Sequence, residues 1–96
     1  MANPMSKPVP HTILVVDDDD GQRGLLVDFL GRHGFRPVPA ASGGEALALL
    51  AKEAPSLMIS DVRMPGMTGL DALREARITH PTLPVLLVTG YAADLY

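Results

Sequence analysis

Thr12-Ile13-Leu14-Val15-Val16-Asp17-Asp18-Asp19-Asp20 carries five β-branched or aliphatic residues straight into four acids. So short and so uniformly apolar a run is too brief for most helices and suits a strand buried on both faces, as in a parallel sheet covered by helices. Downstream the apolar period changes. Leu25, Leu26, Phe29 and Leu30 recur at helical spacing over residues 21–33, so a helix is expected there with those side chains on its inner face. Asp19 is its expected N-cap, with Gln22 three residues on as in a capping box. Gly34 is a good C-terminal stop.

The alternation continues outward from that unit. Residues 35–40 read as a second strand whose Pro37 and Pro39 remove ladder donors and place it at a sheet edge. Ser42 caps a second helix reaching about residue 54, with Leu47, Leu50 and Ala51 facing in. Residues 56–60 form a third strand, the turn Met64-Pro65-Gly66-Met67 follows, and Thr68 starts a third helix that buries Leu70, Leu73 and Ala76. Residues 85–88 make a fourth buried strand ending at Thr89-Gly90. A β-α-β-α-β-α-β pattern calls for right-handed crossovers and an α/β fold with a doubly wound parallel sheet.

Composition narrows the function. The chain has 96 residues, so one domain is expected, with residues 1–11, rich in proline, as a flexible N-terminal arm and residues 12–96 as the folded part. A net charge of −3 without a basic patch gives no support to nucleic-acid binding. There is no cysteine, which excludes disulfides and thiolate-bound metals and fits a cytoplasmic location. No apolar run approaches the roughly 20 residues of a membrane span, and the first eleven residues lack the apolar core of a signal peptide.

In such a sheet, ligands bind beyond the carboxyl ends of the strands. The residues there are Asp17 and Asp18 after the first strand, Asp61 after the third and Thr89 after the fourth. Three converging carboxylates repel, and at least one pKa rises unless a cation relieves them. Mg²⁺ prefers such hard oxygen ligands at about 2.0–2.1 Å and needs few carboxylates, because it keeps several waters. An Asp carboxylate beside that ion can attack a phosphoryl group and form an acyl phosphate. Its oxygens then need donors, which the Thr89 hydroxyl and Gly90 N–H offer.

Three motifs, in order and in spacing, carry a resemblance: Ile13-Leu14-Val15-Val16-Asp17-Asp18-Asp19, Ser60-Asp61-Val62-Arg63-Met64-Pro65-Gly66-Met67-Thr68-Gly69 and Leu87-Val88-Thr89-Gly90-Tyr91-Ala92. The chain from residue 12 to residue 96 resembles the receiver domain of two-component response regulators, the last motif being closest in style to receivers of hybrid sensor histidine kinases. The resemblance implies a flavodoxin-like, CheY-like fold and a phosphorelay role. It implies Asp61 as the phosphorylated aspartate and itself a Mg²⁺ ligand, Asp18 as a direct Mg²⁺ ligand, Asp17 acting largely through water, and the Arg63 backbone carbonyl as a further ligand. It implies Thr89 as the hydroxyl that reads the phosphoryl group and Tyr91 as a residue controlling access of attacking water. Arg23 also fits the family pattern and is given only a surface or docking role. The phosphoryl donor would be a sensor histidine kinase or a phosphotransfer domain, and the chain would accept phosphate rather than turn over a substrate as an enzyme.

The sequence departs from the family at its end. The family's sheet order is 2-1-3-4-5, and this chain is expected to show 2-1-3-4, with the fifth strand, the last helix and the lysine that ends strand five missing. The receiver would then be incomplete, with residues 91–96 starting a fourth helix. The fourth strand would be an exposed edge inviting a homodimer. Two other readings stand beside the phosphoacceptor: a non-switching receiver that serves as an interaction module, and, remotely, a phosphohydrolase with Asp17 attacking. Plainer roles are expected elsewhere: Asp19 and Asp20 as capping and dipole residues, His11, His33 and His80 as surface residues, and Met58, Met64 and Met67 as packing.

Overall fold

A computed structural model describes residues 11–89 and the backbone of 93–95. The elements run β1 (Thr12–Val16), α1 (Asp20–Arg32), β2 (Arg36–Ala40), α2 (Gly43–Glu53), β3 (Leu57–Asp61), α3 (Gly69–Thr79), β4 (Val85–Val88) and β5 (Ala93–Leu95). The sheet order is β2-β1-β3-β4-β5, with β1 to β4 all parallel. The proline-bearing β2 lies at the edge, where its two missing N–H groups leave no ladder partner waiting.

Local signals explain the boundaries. Asp19 caps α1 by accepting from the Gly21 N–H, one residue short of the capping-box partner expected at Gln22. Ser42 caps α2 through the Glu45 N–H, and Ala54 closes it in the left-handed region. Thr68 and Asp71 form a reciprocal capping box at the start of α3. Gly34 takes a φ of 84°, which a side chain would resist, as the chain turns into β2.

Strand alternation splits the core into two layers. Leu14, Val16, Met58, Val85 and Leu87 face α2 and α3, where they pack with Ala46, Leu50, Ala72 and Ala76. Ile13, Val15 and Ile59 face the other way onto Leu30 of α1, with Leu26, Val27, Leu57 and Leu86 partly buried around them. Among the described residues, the second layer has one helix over it where the first has two.

Four expectations need correction. Helix α1 docks through Leu26, Val27 and Leu30, so Leu25 (73% exposed) and Phe29 point outward, Phe29 stacking at 4.3 Å on the His33 ring. In α3 the small residues Ala72 and Ala76 are buried and Leu70 is 46% exposed, because close packing against the sheet admits methyl groups and turns Leu70 aside. Ala51 in α2 is likewise exposed. Residues 93–95 form a strand rather than the start of a helix. They pair antiparallel with β4, Leu86 with Leu95 and Val88 with Ala93. The fifth position is therefore filled, by an antiparallel strand, and β4 is not an exposed edge. Residues 86–88 of β4 thus have strand partners on their outer side.

Candidate functional site

Strand register brings the predicted residues to one line. Val16 is level with Ser60 and with Ala40, and Asp61 is level with Val88. Asp17 thus leaves β1 on one side of Asp61, and Thr89 leaves β4 on the other. Two further backbone bonds extend the ladder past the strand ends, Asp17 N–H to the Ala40 carbonyl and Val62 N–H to the Val88 carbonyl, each 3.1 Å. Ser60 is fully buried beneath the line, and its hydroxyl donates to the Asp61 carbonyl at 3.1 Å.

One carboxylate oxygen each from Asp17, Asp18 and Asp61 lie within 4.8 Å of one another. At that separation each pair of like charges costs about 1 kcal/mol in a water-like dielectric. Asp17 is half-buried, and its carboxyl is held above the usual carboxylate range, first by loss of water and then by the charges of Asp61, Asp18 and Asp19. The Asp19 N–H, donating to its Oδ1 at 2.9 Å, opposes that rise. Asp61 Oδ1 accepts from the Arg63 N–H at 3.2 Å, which orients the carboxylate across the turn. Among the described residues the ion pairs are Arg23–Asp20 and Arg36–Glu53, and neither uses one of the three carboxylates. A set of hard oxygens with unrelieved negative charge fits a divalent cation by its donor chemistry. Asp17, Asp61, Arg63 and Thr89 line a single cleft of about 410 Å³, whose wall toward α1 is apolar, from Val15, Leu26 and Ile59.

The first turn of α3 braces this cleft from below. Gly69 N–H donates to the Val62 carbonyl at 2.9 Å. A Cβ on Gly69 would sit 2.9 Å from Val62 Cα and closer still to the Asp61 carbonyl oxygen. Only a residue without a side chain lets α3 start against the peptide that carries Asp61. Gly43 plays a similar part at α2, where a Cβ would meet the Met67 side chain at 2.8 Å. Sequence reasoning passed over Gly69 as an ordinary helix start. A glycine as first residue of a well-capped helix, a costly choice by propensity, was the available signal.

Of the predicted site, Asp17, Asp18 and Asp61 come together, and Arg63 and Thr89 border the same cleft. Tyr91 and Gly90 lie outside the described residues. Arg23 departs from its expected surface role: its side chain is 18% exposed and bonds to the Asp17 carbonyl.

The model of the response regulator receiver domain family matches residues 13–96. The chain belongs to the response regulator receiver domain family. As a receiver it is 40% identical over 80 residues to the DNA-binding transcriptional regulator NtrC of Salmonella typhimurium, covering 83% of this chain and 17% of that protein. It is 49% identical over 83 residues to the response regulator protein FleR of Pseudomonas aeruginosa, covering 84% and 17%. With the sporulation initiation phosphotransferase F of Bacillus subtilis it shares 35% identity over 79 residues, 82% of this chain and 64% of that one. The chain thus spans about a sixth of NtrC and FleR. Among solved structures, the response regulator TrrA of Thermotoga maritima in complex with Mg²⁺ and BeF superposes with a TM-score of 0.81 at 35% identity, over 85% of this receiver and 71% of that chain. The receiver domain of the hybrid histidine kinase CckA gives 0.78 at 38%, over 83% and 76%.

Proposed function

We propose that this receiver domain takes a phosphoryl group onto the Asp61 carboxylate from a phosphohistidine of a sensor histidine kinase or phosphotransfer domain. The observation that carries the reading is the convergence of Asp17, Asp18 and Asp61 within 4.8 Å at the strand ends of a receiver fold. One Asp61 oxygen is held by the Arg63 N–H, so the carboxylate is presented in a fixed direction. The Asp61 oxygen attacks phosphorus, the O–P bond forms as the P–N bond breaks, and the leaving imidazole keeps the electron pair and takes a proton from water. Asp17, Asp18, Asp61 and the Arg63 carbonyl would hold Mg²⁺, which when bound would neutralise charge on the phosphoryl oxygens. The Thr89 hydroxyl, from the strand across Asp61 from Asp17, would donate to the transferred group, and Tyr91 would limit the entry of water.

The family match favours the acceptor over the bare interaction module, and it leaves the phosphohydrolase reading without support. The cycle is stoichiometric acceptance, with slow loss to water, rather than enzymatic turnover. A cytoplasmic setting follows from that role, and no helix among the described residues is long and apolar enough to cross a membrane. A homodimer through the sheet edge would now use the outer side of β5, since β4 is already paired; a single monomeric species in sedimentation at micromolar concentration would remove it. Incubation with acetyl phosphate and Mg²⁺ tests the main reading. The wild type should gain one phosphoryl mass and Asp61→Asn none; equal labelling of both defeats the assignment.

A further inference from the structure

Four consecutive acids in a turn repel one another, and a free turn of that composition would spread its carboxylates into water. The turn from Asp17 to Asp20 is instead closed by a chain of bonds. Asp17 Oδ1 accepts from the Asp19 N–H at 2.9 Å, and Asp19 Oδ1 accepts from the Gly21 N–H at 3.2 Å. The Arg23 guanidinium spans both ends, Nη1 donating to the Asp17 carbonyl at 2.7 Å and Nη2 to Asp20 Oδ1 at 2.5 Å.

The two arms of Arg23 are unequal. Asp20 has a 91% exposed side chain, so that ion pair is screened by water. The bond to the Asp17 carbonyl is partly buried, with a charged donor, and is the stronger kind. It also comes where the sheet stops helping. The Asp17 N–H is held by β2 through the Ala40 carbonyl. The Asp17 carbonyl lies past the end of β1, and Arg23 supplies its partner. Asp17 is thereby clamped on both sides of its Cα, and the Asp17–Asp18 peptide plane sets the directions in which both carboxylates leave the turn.

We propose that Arg23 is a positioning residue that holds Asp17 and Asp18 converged on Asp61, an inference that rests on the acceptor reading above. It acts through the carbonyl bond rather than through its charge. Charge and geometry give opposite signs here. Deleting a cation beside three carboxylates should tighten cation binding, whereas releasing the Asp17 peptide should weaken it. Arginine's planar fork serves a carbonyl and a carboxylate together, and lysine's single ammonium cannot.

The experiment measures Mg²⁺ affinity by isothermal titration calorimetry, labelling by acetyl phosphate, and the thermal midpoint, on wild type, Arg23→Ala, Arg23→Lys and Asp20→Ala. Residues that orient metal ligands typically contribute 10–100-fold in affinity. Arg23→Ala should weaken Mg²⁺ about tenfold or more and slow labelling in step, Arg23→Lys should recover part of the loss, and Asp20→Ala should stay within about twofold of wild type. Unchanged or tighter Mg²⁺ binding by folded Arg23→Ala overturns the inference, as does an equal loss in Asp20→Ala. If the wild type itself neither binds Mg²⁺ nor labels, the acceptor reading fails instead. Amide exchange at Asp18 in the metal-free protein then still decides whether Arg23 orders the turn, faster exchange in Arg23→Ala supporting it and equal exchange refuting it.

Discussion

Gly69→Ala places a methyl carbon between α3 and the end of β3. It lands 2.9 Å from Val62 Cα and nearer still to the Asp61 carbonyl oxygen, both backbone atoms that cannot swing aside. Carbon atoms pack best at about 3.5–4.0 Å, so the junction must open by roughly 0.6–1 Å. Overpacking of that kind costs about 1–3 kcal/mol. Alanine returns up to about 1 kcal/mol of helix propensity, so from the middle of the overpacking range, about 2 kcal/mol, a net loss of about 1–2 kcal/mol is expected. For a chain of this size that lowers the melting midpoint by roughly 4–16 °C. The effect on chemistry should exceed the effect on stability. A displacement approaching 1 Å at a reacting group can cost about 100-fold in rate, and here the displaced peptide is that of Asp61. Circular dichroism melting and acetyl phosphate labelling, both run where the variant is fully folded, give the two numbers. Gly24→Ala is the control, since a Cβ at that exposed position of α1 meets nothing within 4 Å; it should stabilise by about 0.5–1 kcal/mol. If Gly69→Ala melts at or above wild type and labels at the wild-type rate, the close approach of α3 to Asp61 has no role.

The raised carboxyl of Asp17 makes stability depend on pH with a definite sign. Folded chains hold that proton more tightly than unfolded ones, so between the ordinary carboxylate value and the raised folded one stability falls as pH rises. Asp17→Asn should therefore flatten that part of the profile and melt higher than wild type at neutral pH without Mg²⁺, while saturating Mg²⁺, which stabilises in proportion to its binding, should favour wild type; urea melts at a series of pH values with and without the ion check this, and a variant less stable than wild type in metal-free buffer contradicts it. Thr68→Ala removes one half of the α3 capping box and should cost about 1 kcal/mol. Asp71, whose carboxyl is held below its ordinary range first by the Thr68 backbone N–H and then by its hydroxyl, should then lose the hydroxyl's share of that depression and keep the backbone's, measurable by carboxyl NMR titration.

The layered fold and the three carboxylates were legible because they depend on local features. An unbroken apolar run ending on acids marks a buried strand wherever it occurs, and Pro37 and Pro39 confine β2 to an edge whatever lies beside it. What sequence could not supply were relations across the chain. The outward rotation of Leu25 and Leu70 depends on which face of each helix the sheet accepts, and a period of 3.6 leaves two neighbouring phases open when apolar residues come in adjacent pairs. The return of residues 93–95 onto β4 is decided by unpaired backbone groups on another strand, which no local propensity encodes. Arg23 looked like a surface cation because its partner is a carbonyl, and carbonyls leave no mark in a sequence.

The two-layer core has a consequence for how the acid cluster withstands damage. Leu14 and Val16 hold β1 from one side, and Ile13 and Val15 hold it from the other. In β3, Met58 and Ile59 divide in the same way. Each strand that delivers a carboxylate is fastened like a plank nailed from both faces. A substitution that loosens one set of nails leaves the opposite set gripping the same plank. The chain can therefore drift in sequence on either side of its sheet, one side at a time, while Asp17 and Asp61 keep their places.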